Sequence, residues 1–157
     1  MKAVLQRVTE ARVTSEGRVL GEIGRGIVVL LGVALGDEES DARILAAKIA
    51  NLRVFADAQS KFNLSILESG GQALVISQFT LIADARRGRR PSFDQAAAPD
   101  VAEALVDRFC QFLRDEGVPV QTGRFGAHME VDIHNDGPVT IVLDTNDLKK
   151  PRRSHGT

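Results

Sequence analysis

Ser77-Gln78-Phe79-Thr80 puts two hydroxyls and a carboxamide within four residues, directly after the apolar run Ala73-Leu74-Val75-Ile76. Polar groups that follow a buried strand are displayed at a surface. Backbone N–H groups just past a strand end can also hold the oxyanion of an acyl-transfer reaction. The same four residues suit a plain strand terminus, where Ser and Thr satisfy free backbone groups. A second segment, Asn135-Asp136-Gly137-Pro138-Val139-Thr140, combines residue types typical of a tight turn between two strands. A third set, His128, Glu130, Asp132 and His134, alternates along one strand. These are metal-ligand types, but alternate strand residues stand about 6.5–7 Å apart, so four in a line cannot share one ion. They read as the solvent face of a half-buried sheet. No metal and no cofactor is expected.

Charge adds two clusters. Arg86, Arg87, Arg89 and Arg90 surround Gly88, and Lys149, Lys150, Arg152 and Arg153 lie near the end of the chain. The net charge is only -1, so nothing draws the whole molecule to nucleic acid. Local basic patches still bind phosphates. Several signatures are absent: there is no G-x-S-x-G elbow, no phosphate loop of the G-x-x-x-x-G-K-[ST] type and no H-E-x-x-H.

The elements that must position these residues can be read from periodicity. Residues 2–8 and 11–15 alternate, Glu16-Gly17 turns, and Val19-Leu20 starts a return strand. Gly26 to Val33 is a continuous apolar run, which marks a buried strand. Asp37 looks like a helix N-cap, and Ile44, Leu45, Ile49 and Leu52 follow at helical spacing over about 15 residues. Val54-Phe55 starts a short strand, and residues 57–63 look like a loop. Residues 84–98 look irregular. Pro99 opens a second helix with Val101, Leu105, Phe109 and Phe112 on one face, closed by Gly117. Val118-Pro119-Val120 begins another strand. Met129, Val131 and Ile133 then alternate with the polar comb, and Val139 to Leu143 forms a last strand. The expectation is one α/β domain over residues 1–157, with largely antiparallel sheets, two main helices and a basic, mobile tail from about residue 149.

Composition is consistent with this. Of 157 residues, 43% are hydrophobic and 26% charged, ordinary values for a globular chain. With neither Trp nor Tyr, Phe is the only aromatic available to the core. The single cysteine, Cys110, falls near an apolar helical face and reads as a small buried hydrophobe. The first residues lack the pattern of a signal peptide, and no apolar run approaches the ~20 residues of a membrane span. A cytoplasmic location and no membrane partner are expected.

Several short blocks occur in order along the chain: Met1–Val8, Leu31-Gly32-Val33, Lys61 with Asn63-Leu64-Ser65, and Val75–Leu81. Gly88–Phe93, Gly123–Met129 and Asn135–Thr140 continue the series. Together they resemble the D-aminoacyl-tRNA deacylases of bacteria and eukaryotes, over nearly the full length. Phe62, where that family carries Met, is the one departure.

The resemblance implies a homodimer that hydrolyses the ester at the 3′ acceptor end of D-aminoacyl-tRNA. It assigns Ser77, Gln78, Phe79 and Thr80 to catalysis, with the Phe79 and Thr80 N–H groups holding the oxyanion. It implies that Gly137-Pro138 is cis and enters the partner's site, where its carbonyls leave no room for an L side chain. Phe125 and Met129 are expected to contact the substrate, with Phe79 and Phe125 as faces for the terminal adenine. Arg86, Arg87, Arg89, Arg90, Lys149 and Lys150 are expected on acceptor-stem phosphates. Thr80 is the obvious side-chain nucleophile, yet an unassisted Thr is a poor one at neutral pH. A positioning role for Ser77, Gln78 and Thr80 is therefore preferred. The competing readings are a non-catalytic tRNA-binding module of the same fold, and a relative with a relaxed chiral gate.

Overall fold

The computed structural model describes residues 1–151. Strands β1 (Lys2–Ser15), β2 (Arg18–Ile23) and β3 (Gly26–Gly32) form an antiparallel start. After helix α1 (Glu39–Asn51) come the small hairpin β4 (Phe55–Ala56) and β5 (Phe62–Leu64) and the one-turn helix α2 (Ile66–Ser69). Strand β6 (Gln72–Ser77) follows, then a 3-10 turn (Phe79–Ile82) and helix α3 (Pro99–Asp115). Strands β7 (Val120–Thr122) and β8 (Glu130–Asp144) and the one-turn helix α4 (Thr145–Leu148) complete the fold. The main sheet runs β2-β1-β3-β6-β7, and β8 lies along the other edge of β1.

This sheet is mixed: β1 pairs antiparallel with β2, β3 and β8, while β3–β6 and β6–β7 are parallel. The reason is in the connections. Each long helix carries the chain back across the sheet, and a strand–helix–strand crossover makes its two strands parallel. The two main helices are α1 and α3. They pack on one face of the sheet, where Leu45, Ile49, Phe109 and Leu113 meet Leu5, Val29 and Val75. Burying one such aliphatic side chain contributes about 1.5–3 kcal/mol. Val8, Val13, Val28, Leu74 and Ile76 form a second core on the opposite face.

One strand serves both cores. Ala3 and Leu5 face the first, Val8, Ala11 and Val13 the second. Residues 8 and 11 share a face because β1 carries an extra residue there: Val8 pairs with Asn135 while Glu10 pairs with His134. A single inserted residue flips the alternation, which is why the sequence reads as two alternating segments where the structure has one strand.

Three local expectations are revised. Asp37 is not the N-cap of α1. Its carboxylate accepts the Ala34 N–H at 2.6 Å and lies 2.9 Å from the main-chain nitrogen of Met1. Glu38 caps instead, its N–H donating to Asp41 Oδ2 at 2.9 Å, and the helix has 13 residues. Residues 57–63 are not wholly loop, since Phe62–Leu64 pairs with β4. Asn135 to Thr140 is not a turn between two strands but a bulge inside the continuous strand β8. Gln6 pairs with Thr140 and Val8 with Asn135, so four residues of β8 stand opposite Arg7 alone.

The chain end also differs from expectation. Residues 149–151 are part of the folded unit: the Lys149 ammonium sits 2.6 Å from the buried Asp41 carboxylate. Arg152, Arg153 and His155 lie outside the described residues. Cys110 is buried, and desolvation pushes its thiol up to about 11. No described helix is long and apolar enough to cross a membrane.

Candidate active site

Strand β6 delivers Ser77 to the rim of the sheet. There the Gln78 N–H still donates to the Leu31 carbonyl at 2.8 Å, and the chain then tightens into the 3-10 turn. Gly32 makes this possible. A Cβ at Gly32 would stand 3.0 Å from the Gln78 carbonyl oxygen and 3.0 Å from Leu81 Cβ. Only a residue without a side chain lets the turn lie so close to β3.

At the start of that turn, Phe79 and Thr80 have N–H groups without a partner inside it. Among the described residues no backbone acceptor takes them. The Gln78 carboxamide N–H donates to the Thr80 hydroxyl. An amide N–H cannot accept a proton, so Gln78 is no base for Thr80. These features suit hydrogen bonding to a carbonyl better than nucleophilic attack by Thr80.

Beside the turn lies a cleft of about 510 Å³. Ser77, Gln78 and Phe79 line one side, and Phe125 and Met129 line another with Ala96, Ala97 and Val106. The walls are mostly apolar, which suits a flat heteroaromatic ring. Met129 fits because Gly123 opposite it has no side chain; a Cβ there would meet the Met129 sulfur at 2.5 Å. His128 is the only titratable side chain among the lining residues. In the sequence His128 reads as part of the solvent-facing comb, although it lies between Phe125 and Met129, both expected to contact the substrate.

Phe79 and Phe125 differ in setting. Phe79 is 59% exposed, with its ring edge-on to Phe93 at 5.0 Å. Phe125 is half-buried and packs on the larger core, so it serves both the core and the cleft wall.

Gly137-Pro138 stands apart from this cleft. The peptide is cis and exposed at the β8 bulge. Asn135 closes the bulge: its Oδ1 accepts the Val139 N–H at 3.0 Å and its Nδ2 donates to Thr140 Oγ1 at 3.1 Å. Arg7 Nε donates to the Asp136 carbonyl at 3.1 Å. Gly137 has φ 132° and a Cβ there would meet Val139 Cγ2 at 2.8 Å, so glycine is required on both counts. Ser77 pairs with Leu31 and Leu31 with Ala3, whereas Arg7 pairs with Ile27, four residues along β3. Three strand spacings and four residues separate the bulge from Ser77, roughly 20 Å. Within one chain the two motifs do not meet.

The basic residues divide. Arg86 forks onto Asp84 at 2.8 and 2.6 Å, and this partner draws the Asp84 carboxyl down to about 2. Lys149 is engaged by Asp41 and Lys150 by Asp147, each at 2.6 Å. Arg87, Arg89 and Arg90 are exposed and have no carboxylate partner among the described residues. Their loop is closed by paired Asp84–Ser92 hydrogen bonds of 2.8 Å. Arg7, Gly32, Phe93 and Asn135 were missed as individual residues, because only the fold shows what each supports.

A mixed sheet that ends in free N–H groups beside an apolar cleft defines an α/β protein equipped to hold a carbonyl group. A family model described as D-Tyr-tRNA(Tyr) deacylase matches residues 4–144. The chain is similar to the D-aminoacyl-tRNA deacylase of Roseiflexus castenholzii, 57% identical over 155 residues that cover 99% of each chain. The corresponding protein of Chloroflexus aurantiacus is 56% identical over 154 residues, 98% of this chain and 96% of that one. Among solved structures, a c-Myc DNA unwinding element binding protein superposes with TM-score 0.87 at 44% identity. It covers 92% of this chain and 98% of its own. A probable eukaryotic D-amino acid tRNA deacylase, 20% identical over 90% of this chain and 97% of its own, shares the fold with TM-score 0.77. The chain belongs to the D-Tyr-tRNA(Tyr) deacylase family.

Proposed function

We propose that the two tasks of deacylation, holding the ester and judging its handedness, fall on different subunits of a homodimer. The activity itself, hydrolysis of the ester in D-aminoacyl-tRNA, follows from family membership and from relatives at 57% identity. In this reading the terminal adenosine enters the apolar cleft between Phe79 and Phe125. The ester carbonyl meets the Phe79 and Thr80 N–H groups, which stabilise the oxyanion as water attacks. Ser77, Gln78 and Thr80 orient the ester and the water, and Met129 shapes the cleft wall.

The observation that carries the reading is the separation of Gly137-Pro138 from its own cleft, roughly 20 Å at sheet spacings. A motif so fully exposed and so tightly built is available to a second copy. Among the described residues strand β8 pairs only with β1, leaving a 15-residue strand with an open edge. Beside that edge Val142 is 72% exposed, next to Val4 and Leu30 on the same sheet face. Both features favour association with a like surface. Gly137-Pro138 of one copy then meets the amino group in the other's cleft, and its carbonyls exclude an L side chain. Glycine has no side chain to exclude, so glycyl-tRNA on a non-cognate tRNA is a second substrate.

Arg87, Arg89 and Arg90 are the phosphate contacts in this reading. Arg86, Lys149 and Lys150, first expected beside them, already have carboxylate partners. The test is hydrolysis of matched D- and L-aminoacyl-tRNA with light scattering on the same sample. Release of D and glycine but not L, by a dimer, is expected. Binding without release would favour a nucleic-acid-binding module instead, a reading the DNA-binding name of the 44% identical neighbour supports.

A further inference from the structure

We propose that Phe93 is a positioning residue for deacylation. It braces Phe79 and so couples the basic loop to the N–H pair at the turn. The inference rests on the reading of the Phe79 and Thr80 N–H groups as the oxyanion site.

Phe79 is poorly supported for a residue with that task. Its side chain belongs to neither core cluster and is 59% exposed. The four-residue turn beneath it is tied through Gln78, whose N–H reaches the Leu31 carbonyl and whose own carbonyl accepts the Leu81 N–H at 3.2 Å. The aromatic contact of the Phe79 ring is Phe93, with ring planes inclined at 69° and centroids 5.0 Å apart. This is the favoured edge-to-face arrangement of two phenyl rings.

Phe93, by contrast, is fixed on both sides. Before it, Ser92 exchanges two main-chain hydrogen bonds with Asp84. After it, the Phe93 carbonyl accepts the Ala96 N–H at 2.9 Å, and Ala97 donates to the Val33 carbonyl at 3.0 Å. Ala96 and Ala97 are themselves cleft wall. The arginine-bearing loop is thus an insertion with one end running into the turn and the other into the wall. Phe93 packs these two ends together. An RNA phosphate held by Arg89 or Arg90 and an ester carbonyl at Phe79 are joined through that ring pair.

Losing the brace should affect the transition state more than binding. The adenosine keeps Phe125, Met129 and the alanine wall and the phosphates keep their arginines, while the N–H pair loses its fixed direction. An edge-to-face pair accounts for roughly a two- to twelvefold effect.

The experiment is single-turnover hydrolysis of D-tyrosyl-tRNA by the full-length protein, read as a rate at saturating enzyme and a half-saturating concentration. Phe93→Leu should lower the rate about two- to twelvefold and raise half-saturation by a smaller factor than the rate falls. Phe93→Tyr keeps the ring and should match wild type. The double variant Phe79→Leu/Phe93→Leu should be no slower than Phe79→Leu alone, because the pair acts as a unit. If Phe93→Leu does not fold, Phe93→Met is read in its place. A wild-type rate in the Leu variant, a loss confined to half-saturation, or multiplied losses in the double variant would each overturn the proposal. Failure of wild type to release D-tyrosine would sink the underlying reading instead.

Discussion

Replacing Gly32 with alanine tests how the turn Phe79–Ile82, the proposed oxyanion site, is held. The new methyl would sit 3.0 Å from the Gln78 carbonyl oxygen, 3.0 Å from Leu81 Cβ and 3.3 Å from Ile82 Cδ1. Ordinary contact begins at 3.4 Å, so the turn must move away by some tenths of an ångström. Misplacing a reacting group by about 1 Å costs roughly 10²-fold in rate, and half that shift about tenfold. Overpacking of this kind costs about 1–3 kcal/mol. For a chain of this size each kcal/mol lowers Tm by about 2–4 °C. Gly32→Ala should therefore lower kcat on D-aminoacyl-tRNA about tenfold while Tm falls by about 2–12 °C. Gly24→Ala is the control, since a Cβ there meets nothing within 4 Å. It should leave both readouts unchanged. Wild-type kcat in Gly32→Ala, or an equal loss in Gly24→Ala, would refute the idea that close packing under the turn sets its position.

The remaining predictions concern charge and the thiol. Arg89→Ala and Arg90→Ala should each flatten the dependence of tRNA affinity on log salt by about one. Arg86→Ala should leave the slope nearly as it was, because Asp84 already neutralises it; equal flattening by all three would contradict this. Lys149→Met strands the buried Asp41 carboxylate without its counter-ion, so Tm should fall while RNA affinity holds. The Lys149 hydrogen bond and charge hold the Asp41 carboxyl below its usual range against the opposing effect of burial. The stability from that shift is present above the unfolded pKa, about 3.9, and is lost as pH falls through the lower folded value. The Tm gap between wild type and Lys149→Met should accordingly narrow in acid, and a gap that widens there would count against the pair. Cys110, with its thiol pushed up to about 11, should resist alkylation at pH 8 in the native protein and react on unfolding. Rapid native labelling would show that the helix face is open.

Helix α3 and strands β3 and β6 were legible because one residue type dominates each signal. Pro99 and Gly117 bound an apolar helical stripe, and Gly26 to Gly32 is apolar almost throughout. The parallel pairing of β3 with β6 was not legible, because hydrophobic runs carry no direction. The N-cap of α1 went to Glu38 instead of Asp37 because a distant partner, the main-chain nitrogen of Met1, claims the Asp37 carboxylate. Lys149 looked like part of a basic tail for a similar reason: its partner Asp41 lies more than 100 residues away.

At the site the division is the same. The residues of Ser77–Thr80 and Asn135–Thr140, with the other short blocks in order along the chain, carried the resemblance to the family whose model matches residues 4–144. In the sequence Gly32 reads only as the end of an apolar run and Gly137 as turn material. Only the tertiary structure decided that Gly32 makes room for the turn Phe79–Ile82 and that Gly137-Pro138 lies within a bulge, away from its own cleft. Both depend on which backbone passes beside which: β3 lies against the turn that follows β6, and β8 reaches β1 from the far end of the chain.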